Sequence, residues 1–151
     1  MQFLNKEVFV NHILFGHEEA ALRVPVKRSK EEAFFLADSI KKSLESILSK
    51  KEYKDYVEVF SNQASLFSDD PSVSQNKGVV GWVSWGQTVS EFQSAAFGLD
   101  VGKISNPILT NFGYHLIIIT DIRDSDYKYM KKDSIEINLW GDHVLGIEKI
   151  A

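Results

Sequence analysis

The stretch that most constrains the fold is residues 101–122, VGKISNPILTNFGYHLIIITDI. Its segment 114–120 is almost continuously apolar, which is typical of a central strand that is covered on both faces. A short strand at 106–110 precedes it, and Pro107 suits the start of such a strand or the edge of a sheet. Residues 111–113 form the turn, because Asn and Gly tolerate backbone positions with positive φ. The stretch therefore predicts a β-hairpin that ends in a buried strand.

A histidine lies at the start of this apolar strand, and a second one lies on another apolar strand far away in the sequence. The distant strand, residues 8–15, carries His12, and the hairpin strand carries His115. A single histidine in such a place is more often a hydrogen-bonded core residue than a functional one. Two histidines in matching settings favour a sheet that brings both ends of the chain together around one polar site.

Composition narrows the class of protein. The chain has 151 residues, 44% hydrophobic content and a formal charge of −4 at pH 7, which fits one globular domain and gives no reason to expect nucleic acid. Cysteine is absent, which excludes disulfides, thiolate catalysis and zinc–thiolate sites. His17 stands beside Glu18 and Glu19 but without metal-site spacing, so we expect no metal and no cofactor. No segment approaches the roughly 18 apolar residues of a membrane span.

The pattern of the first half predicts two helices and a loop. Ser29 and Glu32 have the spacing of a capping box, and apolar residues then recur at helical intervals as far as Leu48. A second helix is expected at 53–67. Residues 68–77, SDDPSVSQNK, are rich in turn formers, so the two aspartates among them are expected to begin turns or to cap a helix end.

The second half adds a strand and a short helix before the hairpin. Residues 82–84 form the strand, and Thr88 with Glu91 again has capping-box spacing. Gly98 suits the C-terminal cap of that helix. The order is β, α, α, β, α and a β-hairpin, which predicts an α+β domain with one small, mostly antiparallel sheet of four strands.

At this point the residues resemble a known family, the parvulin-type peptidyl-prolyl cis–trans isomerases, or rotamases. The segments that carry the resemblance are HIL at 12–14, SDDPS at 68–72, GVVGW at 78–82 and FQSAAFGLDVGKISNPILTNFGYH at 92–115. The resemblance covers 8–122 and implies a parvulin-like domain there, with a four-stranded antiparallel sheet wrapped by helices. Residues 123–151 are then a C-terminal extension, which forms an extra hairpin around Trp140 or begins a further region.

The resemblance also implies a site, a shallow groove on the sheet. Its catalytic positions fall on His12, Asp70, Thr110 and His115, with Asp70 at the position where the family has an acid or a thiol. Its proline pocket falls on Phe92, with Val80 and Thr88 at the other lining positions and Phe112 and Trp82 at the border. The family usually has Met or Leu at the place of Thr88 and a large aromatic residue at the place of Val83, so this pocket is expected to be smaller or more polar.

The implied activity is rotation of X–Pro bonds in unfolded or partly folded protein chains, without a covalent intermediate. The alternative is a catalytically weak peptide-binding module of a chaperone, which the altered pocket favours. In a third reading the extension at 123–151 is the functional part. The loop at 16–28 carries Arg23, Lys27 and Arg28 together with Glu18 and Glu19, and it predicts no selectivity for phosphoserine.

The compartment stays open at this stage. The start of the sequence, MQFLNKEV, lacks the basic and apolar regions of a signal peptide, so the protein is expected to be cytoplasmic or a fragment of a longer chain. Bacterial relatives of the family are often exported folding factors with further domains, which makes the periplasm or the cell surface the alternative by analogy.

Overall fold

The structure is a computed structural model that describes residues 5–124. Its elements, in chain order, are β1 (Lys6–Phe15), α1 (Lys30–Leu48), a short 3-10 turn (Tyr53–Asp55), α2 (Tyr56–Phe67), α3 (Val73–Asn76), β2 (Val79–Ser84), α4 (Ser90–Gly98), β3 (Ile108–Thr110) and β4 (Gly113–Asp124). The predicted hairpin around Trp140, with the rest of 125–151, lies outside the described residues. Of the helices within 5–124, none is long and apolar enough to cross a membrane.

The strands form one antiparallel sheet with the order β2-β1-β4-β3. β1 and β4 are the central pair. They pair from Lys6 opposite Asp124 to Phe15 opposite Tyr114, with one shift of register between Phe9 and Val10. This confirms the predicted α+β fold and the prediction that the apolar hairpin strand is central. It also places the first described strand of the chain beside the last one.

Helices cover both faces of the sheet, and this explains the unbroken apolar run in β4. Ile117 and Ile118 are consecutive residues, both 0% exposed, but they belong to two different core clusters. Because side chains alternate along a strand, they point to opposite faces. One cluster packs the sheet against α4, and the other packs it against α1 and α2. A strand of this kind needs apolar side chains at successive positions.

The first predicted capping box is confirmed. The Glu32 backbone N–H donates to Ser29 Oγ at 3.0 Å, and the Ser29 backbone N–H donates to the Glu32 carboxylate at 2.9 Å. These bonds from Ser29 lower the pKa of Glu32. The cap fixes the start of α1, whose buried positions Ala33, Ala37, Ile40, Leu44 and Leu48 follow the predicted apolar face.

The second predicted capping box is wrong. α4 begins one residue later than the pattern requires, so its N-cap is Val89, which offers no side-chain hydrogen bond. The Thr88 hydroxyl instead donates to the Val89 carbonyl at 3.4 Å. Gly98 is the last residue of the helix and the extended Leu99 is the C-cap, so the expected glycine cap is absent too. Burial of Phe92 against the sheet sets the position of α4 more strongly than local capping does.

Other strand boundaries also differ from the prediction, because pairing with a neighbouring strand extends or shortens the strand that the local sequence predicts. β2 begins at Val79 rather than at 82, since it pairs with β1 through a bulge. The turn-rich segment 68–77 contains the short helix α3. β3 begins at Ile108 rather than at 106, while Ser105 donates separately from its backbone N–H to the Ile117 carbonyl at 2.8 Å.

Gly78 allows β2 to approach the first histidine closely. Its φ is 82°, and a Cβ atom there would lie 2.8 Å from the His12 carbonyl oxygen. The His12 backbone N–H donates to the Gly78 carbonyl at 2.8 Å. A side chain at this position would force the two backbones apart, so glycine fixes the backbone around His12.

Candidate active site

His12 and His115 lie side by side in the middle of the sheet. His12 pairs with Ile117 and His115 pairs with Leu14, which makes the two histidines diagonal neighbours on adjacent strands and on one face. Their rings stack with centroids 5.6 Å apart and planes 19° apart. The two Nδ1 atoms are 3.4 Å apart. The prediction that the sheet brings both histidines to one polar site is thus confirmed by the geometry.

The outer nitrogen of each ring has a partner on a different segment. Thr110 Oγ1, at the end of β3, lies 2.7 Å from His115 Nε2. Asp70 Oδ2, in the loop after α2, lies 3.1 Å from His12 Nε2. The Phe112 backbone N–H donates to Thr110 Oγ1 at 3.1 Å. The polar residues named from the resemblance therefore form one continuous chain of hydrogen bonds, which we call the histidine network: Thr110, His115, His12 and Asp70.

The partners are compatible with one direction of the protons along the histidine network. If the Asp70 oxygen accepts and each ring carries one N–H, His12 Nε2 donates to Asp70 and His12 Nδ1 accepts from His115 Nδ1. His115 Nε2 then accepts from the Thr110 hydroxyl. In this arrangement every atom that takes part has a suitable partner.

The electrostatics of His115 agree with this assignment. Burial lowers the pKa of His115 well below its usual 6.5, and the neighbouring His12 lowers it further. The ring is 0% exposed, so a charge on it would be poorly solvated. His115 is therefore neutral near pH 7. Its surroundings hold and orient the neutral ring and keep it away from solvent.

A loop fastened to β1 carries Asp70 into the site. Asp70 Oδ1 accepts the Ser72 backbone N–H at 2.9 Å, so the residue forms a turn as well as a contact with His12. Ser68 Oγ accepts the Leu14 backbone N–H at 3.1 Å and the Asp70 backbone N–H at 3.3 Å. Asp70 therefore forms the turn that its residue type predicts, and the same side chain also contacts His12.

Asp69 ties the same loop to the segment after β1. Its Oδ2 accepts from the Gly16 backbone N–H at 2.9 Å and from Arg28 Nη1 at 2.5 Å. Arg28 Nη1 also donates to the Gly16 carbonyl at 3.0 Å. From the sequence, Glu18 and Glu19 were expected to offset the positive charges of this loop. In the structure the ion-pair partner of Arg28 is Asp69. No local pattern pairs residues so far apart in the chain.

Phe92 covers the two histidines. Its ring meets that of His12 edge-on with centroids 6.0 Å apart, and that of His115 with centroids 5.7 Å apart. All three side chains are 0–1% exposed. Phe92 was expected to be an open wall of the proline pocket, whereas in the structure its ring is closed off from solvent.

The structure distributes the remaining pocket residues over different places. Val80 packs, half-buried, against the core cluster that contains Phe92, and Phe112 is buried in that cluster. Thr88 is half-buried in the turn before α4. The structure does not bring Trp82 to the histidines. Its ring contacts Phe9 at 5.4 Å and lies 4.0 Å below the Arg123 guanidinium.

Strand alternation explains the position of Trp82. Its neighbour Val83 is 0% exposed in the cluster with Phe92, so Trp82 points to the opposite face of the sheet. The resemblance indicated where Trp82 lies in the sequence. The face of the sheet that its side chain occupies depends on how β2 pairs with β1, where Phe9 lies opposite Trp82.

Sequence reasoning missed a polar pocket of about 320 Å³ beside the histidine network. Its lining residues are His17, Glu19, Lys30, Glu91, Leu109, Thr110 and Asn111. These residues come from the loop after β1, the starts of α1 and α4, and the hairpin turn. Only the folded topology joins them, so no spacing in the sequence could have revealed the pocket. Within 5–124, no three His, Asp or Glu side chains group in a way that could hold a metal ion.

A buried pair of histidines beneath an aromatic ring, on one face of a four-stranded antiparallel sheet, agrees with the class of fold expected from the resemblance. The family model for rotamases, described as the PPIC-type PPIase domain, matches residues 12–121. The chain therefore belongs to the family of PPIC-type peptidyl-prolyl isomerase domains.

Individual relatives agree with this family. The chain is 38% identical over 82 residues to the foldase protein PrsA of Geobacillus sp. (strain WCH70), a match that covers 54% of this chain and 30% of PrsA. The chain thus spans less than a third of that relative's length.

Two solved structures are also similar. The peptidyl-prolyl isomerase ESS1 of Candida albicans is 31% identical with a TM-score of 0.60, covering 76% of this chain and 63% of that one. A second similar structure comes from work on two SurA-like chaperones of Campylobacter jejuni, the virulence factor PEB4 and the periplasmic protein Cj1289. It is 27% identical to this chain, with a TM-score of 0.59. That match covers 93% of this chain and 49% of the other.

Proposed function

We propose that this chain is a peptidyl-prolyl cis–trans isomerase domain that acts on X–Pro bonds in unfolded or partly folded polypeptides. The observation that carries the proposal is the complete histidine network, from Thr110 to Asp70, beneath Phe92. Membership of the rotamase family supports the same reaction. We place the catalytic roles on His12, Asp70, Thr110 and His115, and contact with the proline on Val80, Thr88, Phe92 and Phe112.

The reaction requires no covalent chemistry. Rotation about an X–Pro bond is slow because it removes amide resonance, over a barrier of about 18–20 kcal/mol. An enzyme accelerates it by binding the twisted amide more tightly than either planar form. Each tenfold acceleration needs about 1.4 kcal/mol of that preference. A rigid, preorganised polar site beside an apolar surface can supply such a preference.

The histidine network suits this task because it is rigid and carries no charge near Thr110. Asp70 is the acidic member, and both rings separate it from the Thr110 hydroxyl. A carboxylate next to the rotating carbonyl would repel its oxygen, and this arrangement avoids that contact. The Thr110 end is therefore the end where we place the substrate amide.

A protease-free isomerisation assay tests the proposal. Peptides with different residues before proline are brought to a non-equilibrium cis content, and relaxation is followed with and without the full chain. The proposal expects acceleration that is proportional to protein concentration. Rates equal to the uncatalysed rate for every peptide would contradict it.

One observation favours a second candidate function, a peptide-binding module with little catalysis. Phe92, His12 and His115 are 0–1% exposed, so a proline ring reaches Phe92 only if side chains packed around it, such as Val80, move. A relative named a foldase and a similar structure from work on SurA-like chaperones are consistent with this role. Under this alternative the chain suppresses aggregation of an unfolded protein and binds peptides with and without proline equally well.

We also propose that the chain works as one domain of a longer, exported protein. Support comes from the 30% coverage of PrsA and from the periplasmic protein Cj1289 named with the Campylobacter structure. The domain would then comprise 8–122, followed by the extension at 123–151. Cell fractionation with an antibody against this domain would test both points, since a cytoplasmic band of the size of this chain alone would contradict them.

A further inference from the structure

The polar pocket of about 320 Å³ lies where four segments meet at the end of the edge strand β3. The hairpin turn contributes Asn111, the loop after β1 contributes His17 and Glu19, and α1 and α4 contribute Lys30 and Glu91 from their first turns. The pocket is separate from the apolar core, because the buried apolar residues of α4 and β4 lie in the two core clusters.

The pocket and the histidine network share a wall. Thr110 lines the pocket and also bonds to His115 Nε2 at 2.7 Å. Glu91, which also lines the pocket, directly precedes Phe92 on α4. Successive residues of an extended peptide are about 3.3–3.8 Å apart. A substrate whose proline lies at the network therefore brings a neighbouring side chain to the mouth of the pocket.

The charged side chains that line the pocket, two carboxylates and one ammonium group, sum to a negative charge. Glu19 and Glu91 face one cation, Lys30, and within 5–124 no ion pair of 4.0 Å or less involves any of the three. Arg28, two residues before Lys30 in the sequence, pairs with Asp69 instead. His17 is 6% exposed, and its Nδ1 accepts the Glu19 backbone N–H at 3.2 Å, which fixes that part of the loop.

The remaining wall is apolar. Leu109 is 38% exposed and lines the pocket beside Asn111. A long aliphatic stem can lie along such a surface while its charged end reaches the carboxylates, as the stems of Lys and Arg do elsewhere on proteins. A phosphate group, with about −1.5 to −2 charges, would meet two carboxylates and a single ammonium group.

From these observations we propose that the pocket binds the cationic side chain of a Lys or Arg residue adjacent to the substrate proline. Glu19 and Glu91 hold the charge, and Leu109 contacts the stem. The proposal rests on the proposed function, since it concerns the substrate of the same site. It assigns a specificity role to Glu91 and Glu19, which are not members of the histidine network.

The test compares peptides that differ only in charge. Lys-Pro is compared with norleucine-Pro, and Pro-Lys with Pro-norleucine, because norleucine keeps the aliphatic stem and lacks the ammonium group. At low salt, kcat/KM for lysine should exceed that for norleucine by about fivefold in one of the two registers, the size expected for exposed ion pairs. Added salt should reduce the ratio toward 1.

Variants assign the preference to the pocket. In the double variant Glu19→Gln and Glu91→Gln the lysine-to-norleucine ratio should fall to about 1. Glu18→Gln is the matched control, because Glu18 is an exposed residue of the same loop that does not line the pocket, and it should keep the wild-type ratio. A ratio near 1 for the wild type in both registers, or an unchanged ratio in the double variant, would overturn the proposal.

The outcome is separable from that of the proposed function. Turnover of norleucine peptides without any preference for lysine would overturn the pocket and leave the isomerase intact. If no peptide is turned over, the isomerase proposal fails. Equilibrium binding of the same peptides then tests the proposal about the pocket independently of catalysis. Lysine peptides must then still bind about fivefold more tightly than norleucine peptides in wild type and equally in the double variant.

Discussion

His12 and His115 come from the first and last strands of the described chain, yet their Nδ1 atoms are 3.4 Å apart in a site without exposed surface. Their direct contact requires one ring to donate an N–H to the other. A proton added to His115 Nε2 would face the Thr110 hydroxyl hydrogen, and the Thr110 hydroxyl could then no longer donate to the ring. The stability of the fold should therefore depend on pH through this pair.

We predict that stability falls as pH decreases below about 6.5. Because burial lowers the pKa of His115 in the folded state, the unfolded chain takes up a proton at higher pH than the folded chain does. The stabilisation is complete above the unfolded pKa of about 6.5 and is lost as pH falls toward the lowered folded pKa, by up to about 1.4 kcal/mol per pH unit. Denaturant unfolding at several pH values measures it.

The control for this experiment is His115→Gln, which removes the titrating group. The difference between wild type and variant in unfolding free energy should decrease between pH 7.5 and pH 5. Parallel curves over that range would contradict the neutral assignment of His115.

We predict that His115→Ala lowers the melting temperature and the isomerase activity together. The substitution leaves the Thr110 hydroxyl and His12 Nδ1 without their partners in a buried site, at a cost of about 1–3 kcal/mol for each group. Thermal unfolding and turnover of the same preparation check this. Full stability with abolished turnover would instead indicate a direct chemical role for the ring.

We predict no advantage for phosphoserine before proline. Arg28 is held by Asp69 at 2.5 Å, so it cannot join Lys27 in an anion site without breaking that pair. Turnover of phosphoserine-Pro and Glu-Pro peptides at low salt, compared with Ala-Pro, measures the preference. A tenfold advantage for phosphoserine-Pro that disappears when Lys27 and Arg28 are changed to Ala would show that the loop rearranges into an anion site.

We predict that the domain folds without the C-terminal extension. Both core clusters consist of residues between Val8 and Ile119, and the helices that cover the sheet all precede β4. β4 continues to Asp124, two residues beyond the boundary at 122 expected from the resemblance, so the truncation should end there. Thermal unfolding of residues 5–124 should be cooperative. A truncated chain without a cooperative transition would show that the extension belongs to the core.

The fold was predictable because simple sequence patterns, above all two apolar strands far apart in the chain, determine which strands must pair. Two apolar strands, each with one histidine, can bury both polar rings only by pairing them, as β1 and β4 do. The capping box at Ser29 also succeeded, since a helix that begins after an unconstrained loop can follow its local signal. The box at Thr88 failed because the core position of Phe92 fixes α4 irrespective of the local pattern.

The resemblance named the residues of the candidate site but said little about their surroundings. Two of those residues, Asp70 and Thr110, lie in the histidine network. The resemblance could not show that Phe92 would be closed off or that Trp82 would lie on the opposite face. The polar pocket was invisible for the same reason, because Glu19 and Glu91 are brought to one place only by the packing of a loop and a helix around β3.

The central claim is that the histidine network beneath Phe92 is the catalytic centre of a prolyl isomerase, and one comparison tests it most directly. Relaxation of an Ala-Pro peptide is measured without protease for wild type, Thr110→Val and Trp82→Phe, at a temperature where all three are folded. Thr110→Val removes the hydroxyl at the substrate end of the network, whereas Trp82 lies on the far face of the sheet. The account predicts acceleration by wild type and Trp82→Phe, with a loss of about tenfold or more in Thr110→Val, equivalent to about 1.4 kcal/mol. No acceleration by the wild type, or a wild-type rate in folded Thr110→Val, would contradict it.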